Sequence, residues 1–351
     1  MRGIVLCAMV LSGCAETPED LLARLTQPGP YGVGYREQTV TYPQPDGGGD
    51  RTLRLGVWYP TMDPSGVEMK YLDLFPAPGV WVDANPVELP LPLVVYSHGH
   101  QGYAEASGFL MAFFASHGWL VGAPDHTGNT TFDGSDRQTS IYYQRAWDMS
   151  AVIDHLSADG PTETNGSVLA MGHSFGGYTL HGLAGGQYDV DALGEKCADP
   201  ESSSPICSEW APQAAGLFEQ GFLDVEVDGF LTMAAGDYSL FGKEGLQAIE
   251  APVLMMDGTL DPATGQDADA IWSGLEGRGN RRVQITGGGH LTFTDVSGTL
   301  ENFEGLIPAE EGFTIVQAYS LAFGLELLGD KRAGELLDGA VPVSDAVRLF
   351  P

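Results

Sequence analysis

A five-residue turn, Gly172-His-Ser-Phe-Gly176, joins a short apolar run, Ser167-Val-Leu-Ala-Met171, to a segment of helical character over 175–184. A serine between two glycines at such a joint constrains the chain strongly, because it demands a buried strand ending at an open edge and a helix leaving from it. The turn forces the serine into a strained backbone conformation, and the glycines leave room for neighbouring chain. Ser174 is therefore expected to stand open to substrate as a nucleophile. The N–H of Phe175, at the helix start, is expected to point where negative charge develops during acyl transfer, as a first oxyanion-hole donor.

Around this joint, strand-like and helix-like stretches take turns. Short apolar runs at 91–96, 119–123, 167–171, 229–235, 252–256 and 282–285 read as strands, and the segments 104–117, 139–157, 175–184 and 266–275 as helices. That alternation implies an α/β fold with a mostly parallel sheet covered on both sides. Ahead of it, residues 38–42 and 52–59, separated by a Pro/Gly/Asp turn, read as two antiparallel strands forming the first edge of the sheet. The polar stretch 186–228 breaks the rhythm and reads as an inserted lid or flap. A chain of 351 residues, 43% hydrophobic, allows all of 31–351 to form one domain with a sizeable core.

The partners of Ser174 follow from position. Ser97-His-Gly-His-Gln-Gly102 comes directly after an apolar strand, so the backbone N–H of His100, with Gln101 as the near alternative, is expected to be the second oxyanion donor. His98 is read as ordering that loop. Gly287-Gly-Gly-His290 follows the last apolar strand, and a histidine at the end of a glycine-rich loop is free to reach the nucleophile as general base. His126, His155, His173 and His181 are read as structural. The orienting carboxylate is assigned to Asp261, in the loop after strand 252–256, with Asp237 after the preceding strand as the alternative and Asp257 a lesser one.

Sixteen Lys and Arg against 47 Asp and Glu give a net charge of -31, a surface that repels nucleic-acid phosphates and anionic lipid head groups. Polynucleotide substrates are thereby disfavoured. At the N-terminus, Met1-Arg2 precedes an apolar run too short to span a bilayer, and Leu11-Ser-Gly-Cys14 resembles the lipobox of bacterial lipoproteins. Residues 1–13 are accordingly expected to be a signal peptide, and Cys14 a lipidated N-terminus of an exported, cell-envelope protein. Residues 14–30, with Pro18, Pro28 and Pro30, are expected to be a tether. With Cys7 removed and Cys14 modified, Cys197 and Cys207 remain as an even pair in an exported chain, and a disulfide between them is expected.

Taken in order, Gly32-Val-Gly34, Arg51 to Trp58-Tyr-Pro60, Ser97-His-Gly99, Ala115-Ser-His-Gly118, Ala123-Pro-Asp-His-Thr-Gly-Asn129, Gly172-His-Ser-Phe-Gly-Gly177 and Gly289-His-Leu-Thr-Phe293 resemble the bacterial dienelactone-hydrolase-like and platelet-activating-factor-acetylhydrolase-like esterases of the α/β-hydrolase superfamily. The resemblance covers about residues 31–325. It implies a metal-independent carboxylic ester hydrolase that needs no cofactor, acts through an acyl-enzyme on small ester substrates, and carries Ser174, Asp261 and His290 at the catalytic positions. In the acetylhydrolase branch the acid can follow the earlier strand, which would favour Asp237. True dienelactone hydrolases use a cysteine nucleophile, so that branch's substrate does not carry over.

The same core is similar to bacterial cutinases and polyester hydrolases, where aromatic side chains beside the cleft would matter; Tyr103, Tyr178 and Trp210 are the candidates. Short-chain acyl esters, phospholipid-like ones included, are the expected substrates. The competing readings are a polyester hydrolase, a serine peptidase or amidase using the same residues, and a surface lipoprotein that binds without catalysis.

Overall fold

The computed structural model describes residues 16–134 and 137–350. Its elements in chain order are α1 (Pro18–Thr26), β1 (Gly32–Pro43), β2 (Asp50–Thr61), β3 (Glu68–Tyr71), β4 (Phe75–Val82), β5 (Leu91–Ser97), α2 (Gly108–Ser116), β6 (Leu120–Pro124), α3 (Thr139–Asp159), β7 (Thr164–His173) and α4 (Phe175–Leu183). There follow α5 (Val190–Ala198), α6 (Pro212–Gln220), β8 (Gly229–Met233), α7 (Gly242–Gln247), β9 (Val253–Gly258), α8 (Gly265–Leu275), β10 (Arg281–Ile285), α9 (Ala309–Leu327), α10 (Lys331–Leu337) and β11 (Val347–Phe350).

The strands form a single sheet in the order β11-β10-β9-β8-β7-β5-β6-β2-β1-β4-β3. From β10 to β6 every pairing is parallel. The apolar runs become central strands because both of their faces are covered. Along β5, Val94 and Tyr96 join the core beneath α2 and α9, while Leu93 and Val95 join the core beneath α3 and α4. Strand β9 divides likewise, Leu254 and Met256 to one side and Val253 and Met255 to the other. The C-terminal ends of β5, β7, β8, β9 and β10 consequently share one edge, where crossover loops meet in an open α/β sheet. The chain thus has the α/β-hydrolase fold.

Three expectations are corrected. The stretch 14–30 is not a plain tether, because its described part forms α1, with Leu21 and Leu25 wholly buried. Pro18 occupies the first helical turn, where no N–H is needed, and Thr17 with Asp20 forms a capping box. Arg24 then ties the helix to Asp330 at 2.9 Å. The pair β1–β2 is not the edge of the sheet, since β4 pairs with β1 in parallel and β3 lies outside it. The segment 186–228 contains α5, α6 and the Cys197–Cys207 disulfide. It packs at the start of α3, where the Thr139 hydroxyl donates to the Ile206 carbonyl at 2.6 Å, rather than over Ser174. Its buried side chains, Leu193, Ile206 and Phe218, seat it there. Cys14 and the expected signal peptide lie outside the described residues.

Candidate active site

Strand β7 ends at His173 and α4 begins at Phe175, so Ser174 alone makes the turn, at φ 54° and ψ −117°. A non-glycine residue held there is strained, and it persists only because the surroundings leave no alternative. Those surroundings are close. A Cβ on Gly176 would run into the Ser97 carbonyl, and one on Gly172 would lie 2.6 Å from the Gly176 carbonyl. The Ser174 N–H is meanwhile fixed to the Met233 carbonyl at 2.8 Å.

The loop after β10 brings His290 to this turn. Its Nε2 lies 3.0 Å from Ser174 Oγ, and its Nδ1 lies 2.9 Å from Asp261 Oδ2. A carboxylate only accepts, so Nδ1 carries the proton and Nε2 is left to accept from the serine hydroxyl. Asp261 is held in turn by the N–H groups of Ala263 at 2.7 Å and Thr264 at 3.0 Å, and by the Thr264 hydroxyl at 2.7 Å. Burial opposes ionisation of this carboxyl, but the hydrogen bond and charge of His290 and the Thr264 donors outweigh it and hold the pKa down to about 2.

The other two acids are paired with arginines instead. Asp257 forms a forked pair with Arg282, at 2.6 and 3.0 Å, and also accepts from Gln284. Asp237, itself in the left-handed region at φ 60°, pairs with Arg137 at 3.1 Å, and burial raises its pKa against that cation. Of the three carboxylates weighed from the sequence, only Asp261 touches His290.

Two supports of His290 escaped the sequence reading. Glu301 accepts the N–H groups of His290 at 2.9 Å and Leu291 at 2.8 Å through its two carboxylate oxygens. Gly289 must lack a Cβ because that carboxylate fills the space. His173, read as merely structural, has its Nε2 2.8 Å from the His290 carbonyl, where it donates. Burial, with the neighbouring His290, lowers its pKa to about 3, so it stays neutral and keeps that N–H in place. Nothing near Glu301 in sequence marks it, whereas Thr264, three residues beyond Asp261 and just before α8, carries an Asp-x-x-Thr turn signal.

The loop 97–102 passes against Ser174, and a Cβ on Gly99 would lie 3.3 Å from that of the serine. His98 orders this loop, its Nδ1 bonding the Gly99 carbonyl at 2.7 Å and its Nε2 accepting the His126 N–H at 3.1 Å. His100 borders the cleft, with its Nδ1 2.9 Å from the Asn129 amide, and Gln101 takes a left-handed φ of 55°. Behind the loop sits the wholly buried Arg145, which donates to Asn129 at 3.0 Å, Ser97 at 3.1 Å and the His98 carbonyl, with its guanidinium 4.8 Å from the Phe175 ring. Burial lowers its pKa to about 9, which leaves it charged at neutral pH. A fixed cation therefore backs both backbone segments expected to supply oxyanion donors.

A second Ser–His–Asp line lies in this network: Ser97 Oγ is 2.9 Å from His126 Nε2, and His126 Nδ1 is 2.8 Å from Asp148. All three are wholly buried, and Asp148 is also held by Arg51 and Tyr42. It ties α3 to the sheet and gives no substrate access. Ser174, by contrast, opens on a cavity of about 470 Å³ whose wall is mostly polar, lined by His290 together with Arg137, Asp237, Ser239, Gln266 and Asp267. No residue of 186–228 lines it. Tyr178 is buried, Trp210 stacks on Phe218, and Tyr103 borders a different cavity, so none of the three aromatic candidates lines this cleft.

No protein-family model and no curated protein matches the chain. Among solved structures it is similar to a ferulic acid esterase from Streptomyces cinnamoneus, with a TM-score of 0.60 and 20% identity over 86% of this chain and 92% of that one.

Proposed function

We propose that the chain is a carboxylic ester hydrolase acting through an acyl-enzyme on Ser174. The observation that carries this reading is the hydrogen-bonded line from Asp261 through His290 to Ser174, at 2.9 and 3.0 Å, open to a cleft. His290 Nε2 takes the hydroxyl proton as Ser174 Oγ attacks the ester carbonyl, and Asp261 stabilises the imidazolium. The N–H groups of Phe175 and of the His100 loop receive the oxyanion, and His290 returns its proton to the leaving alcohol. Water then repeats the sequence on the acyl-enzyme, releasing the acid and restoring Ser174.

The polar wall favours esters of short acyl groups with polar alcohols over long-chain lipids, because few apolar side chains face the nucleophile. Likeness to a ferulic acid esterase agrees with ester chemistry on the same fold. Tyr103, Tyr178 and Trp210, the aromatic candidates for holding a polyester chain, do not line the cleft, which supports a small-ester substrate instead. The N-terminal pattern and the disulfide support an exported protein, anchored through Cys14. No helix among the described residues is long and apolar enough to cross a membrane.

Hydrolysis of p-nitrophenyl acetate through octanoate, set beside amino-acid anilides, tests the proposal. kcat/KM is expected to fall with acyl length, the anilides to remain uncleaved, and Ser174→Ala to lose roughly four or more orders of magnitude in kcat. Ester hydrolysis that survives Ser174→Ala would overturn it.

A further inference from the structure

A cavity of about 730 Å³, larger than the Ser174 cleft, lies apart from it. It lies between the β3–β4 hairpin, helix α2 and the loop that follows His290, and it shares no lining residue with that cleft. Its wall is aromatic, from Tyr31, Tyr71, Phe75, Tyr103, Phe109 and Phe113. No Lys, Arg or His lines it, and Asp295 supplies its one carboxyl.

Asp295 Oδ1 accepts the Phe109 N–H at 3.0 Å, in the first turn of α2. Capping accounts for that bond but not for where the carboxyl sits. A cap at a helix start is ordinarily solvated, whereas this one is half-buried against an apolar cavity, with no cationic side chain paired to it among the described residues. The carboxyl borders the cavity with backbone donors but no counter-charge, so a cation bound in the cavity would supply the ion pair it lacks; burial, which lifts its pKa to about 7, agrees with that placement. Aromatic faces around a carboxylate favour an organic cation, whose apolar body they cover and whose charge they attract. The net charge of -31 disfavours an anionic ligand at the same place.

We propose that this cavity is a second ligand site, distinct from the Ser174 cleft, that takes a small organic ammonium ion with its nitrogen at Asp295 and its hydrocarbon among the aromatic rings. The claim is independent of the esterase reading. Calorimetric titration with n-octylammonium chloride and with sodium octanoate, in physiological salt at mildly alkaline pH, compares one hydrocarbon bearing opposite charges. The ammonium is expected to saturate a single site, and octanoate to bind at least about tenfold more weakly. Asp295→Asn keeps an acceptor for the Phe109 N–H and barely alters the overall charge, yet should weaken ammonium binding by about tenfold or more. Ala112→Trp, which fills the cavity from α2, should abolish binding with Asp295 intact, and Ser174→Ala should leave it unchanged; thermal unfolding checks that each variant folds. Octanoate binding as tight as the ammonium, undiminished binding in Asp295→Asn or Ala112→Trp, loss of binding in Ser174→Ala, or no saturable site would overturn the proposal.

Discussion

A serine hydroxyl is a weak nucleophile until a base removes its proton, and a histidine is an effective base only when its tautomer and ring orientation are fixed. Here that fixing is distributed. Asp261 and Thr264 act on one ring nitrogen, while Glu301 and His173 hold the backbone of His290. The two leading acids of the sequence reading, Asp261 and Asp237, can therefore be separated by rate. Asp261→Asn is expected to lower kcat by about four orders of magnitude, because the wrong tautomer is presented to Ser174. Asp237→Asn removes only a partly exposed pair with Arg137 and should change kcat by less than about tenfold. A greater loss from Asp237→Asn would reverse the assignment. At this scale the meeting of Ser174, His290 and Asp261 could be anticipated because each follows a strand, in a turn or loop with a local signal. Glu301 was not, since its position depends on a loop folding back through space.

Among the elements, the central strands could be read because burial on both faces demands uninterrupted apolar runs, as in Leu91 to Tyr96 and Val253 to Met256. Helix α1 was hidden by prolines that read as breakers, although Pro18 sits where a helix accepts one and Pro28 lies beyond its end. The hairpin β3–β4 was missed because Pro76, Pro78 and Gly79 disguise a strand, which tolerates the prolines because that stretch pairs only with β3 while β1 joins further on, at Val80–Val82. The insertion 186–228 was recognised as an insertion, but its reading as a lid came from length and polarity, and neither says which face it packs on. Removing its disulfide with Cys197→Ser and Cys207→Ser should lower stability by roughly 3 kcal/mol, from the loop entropy restored to the unfolded chain. kcat/KM on a short p-nitrophenyl ester should be almost unaffected. A large fall in kcat/KM with the fold intact would show that the segment reaches the cleft after all.

For the molecule as a whole, acid is the condition that tests the interior. Burial lowers the pKa of His126 to about 3, of His173 to about 3 and of His181 to about 4, each below the unfolded value of about 6.5. The unfolded chain consequently binds more protons than the folded one below about pH 6.5, and stability must decline as pH falls through that window. Asp295, whose pKa burial lifts to about 7, takes up a proton in the folded state over the same window and offsets one of the three histidines, while the surface carboxylates behind the net charge of -31 take up protons only near about pH 4. Thermal unfolding should show Tm falling steadily from about pH 7 to pH 5. A flat profile there would mean that these histidines are not held neutral. No sequence pattern distinguished them from surface histidines, because their burial depends on how helices and sheet assemble. The α/β architecture, by contrast, could be inferred from the order of its segments.

The central claim, that Ser174 forms the covalent intermediate, is tested most directly by intact-mass and peptide mass spectrometry after exposure to an activated phosphonate ester. The account predicts one adduct per chain, carried on the peptide containing Ser174 and absent from Ser174→Ala. An adduct on another residue, or labelling of Ser174→Ala at the same rate, would contradict it.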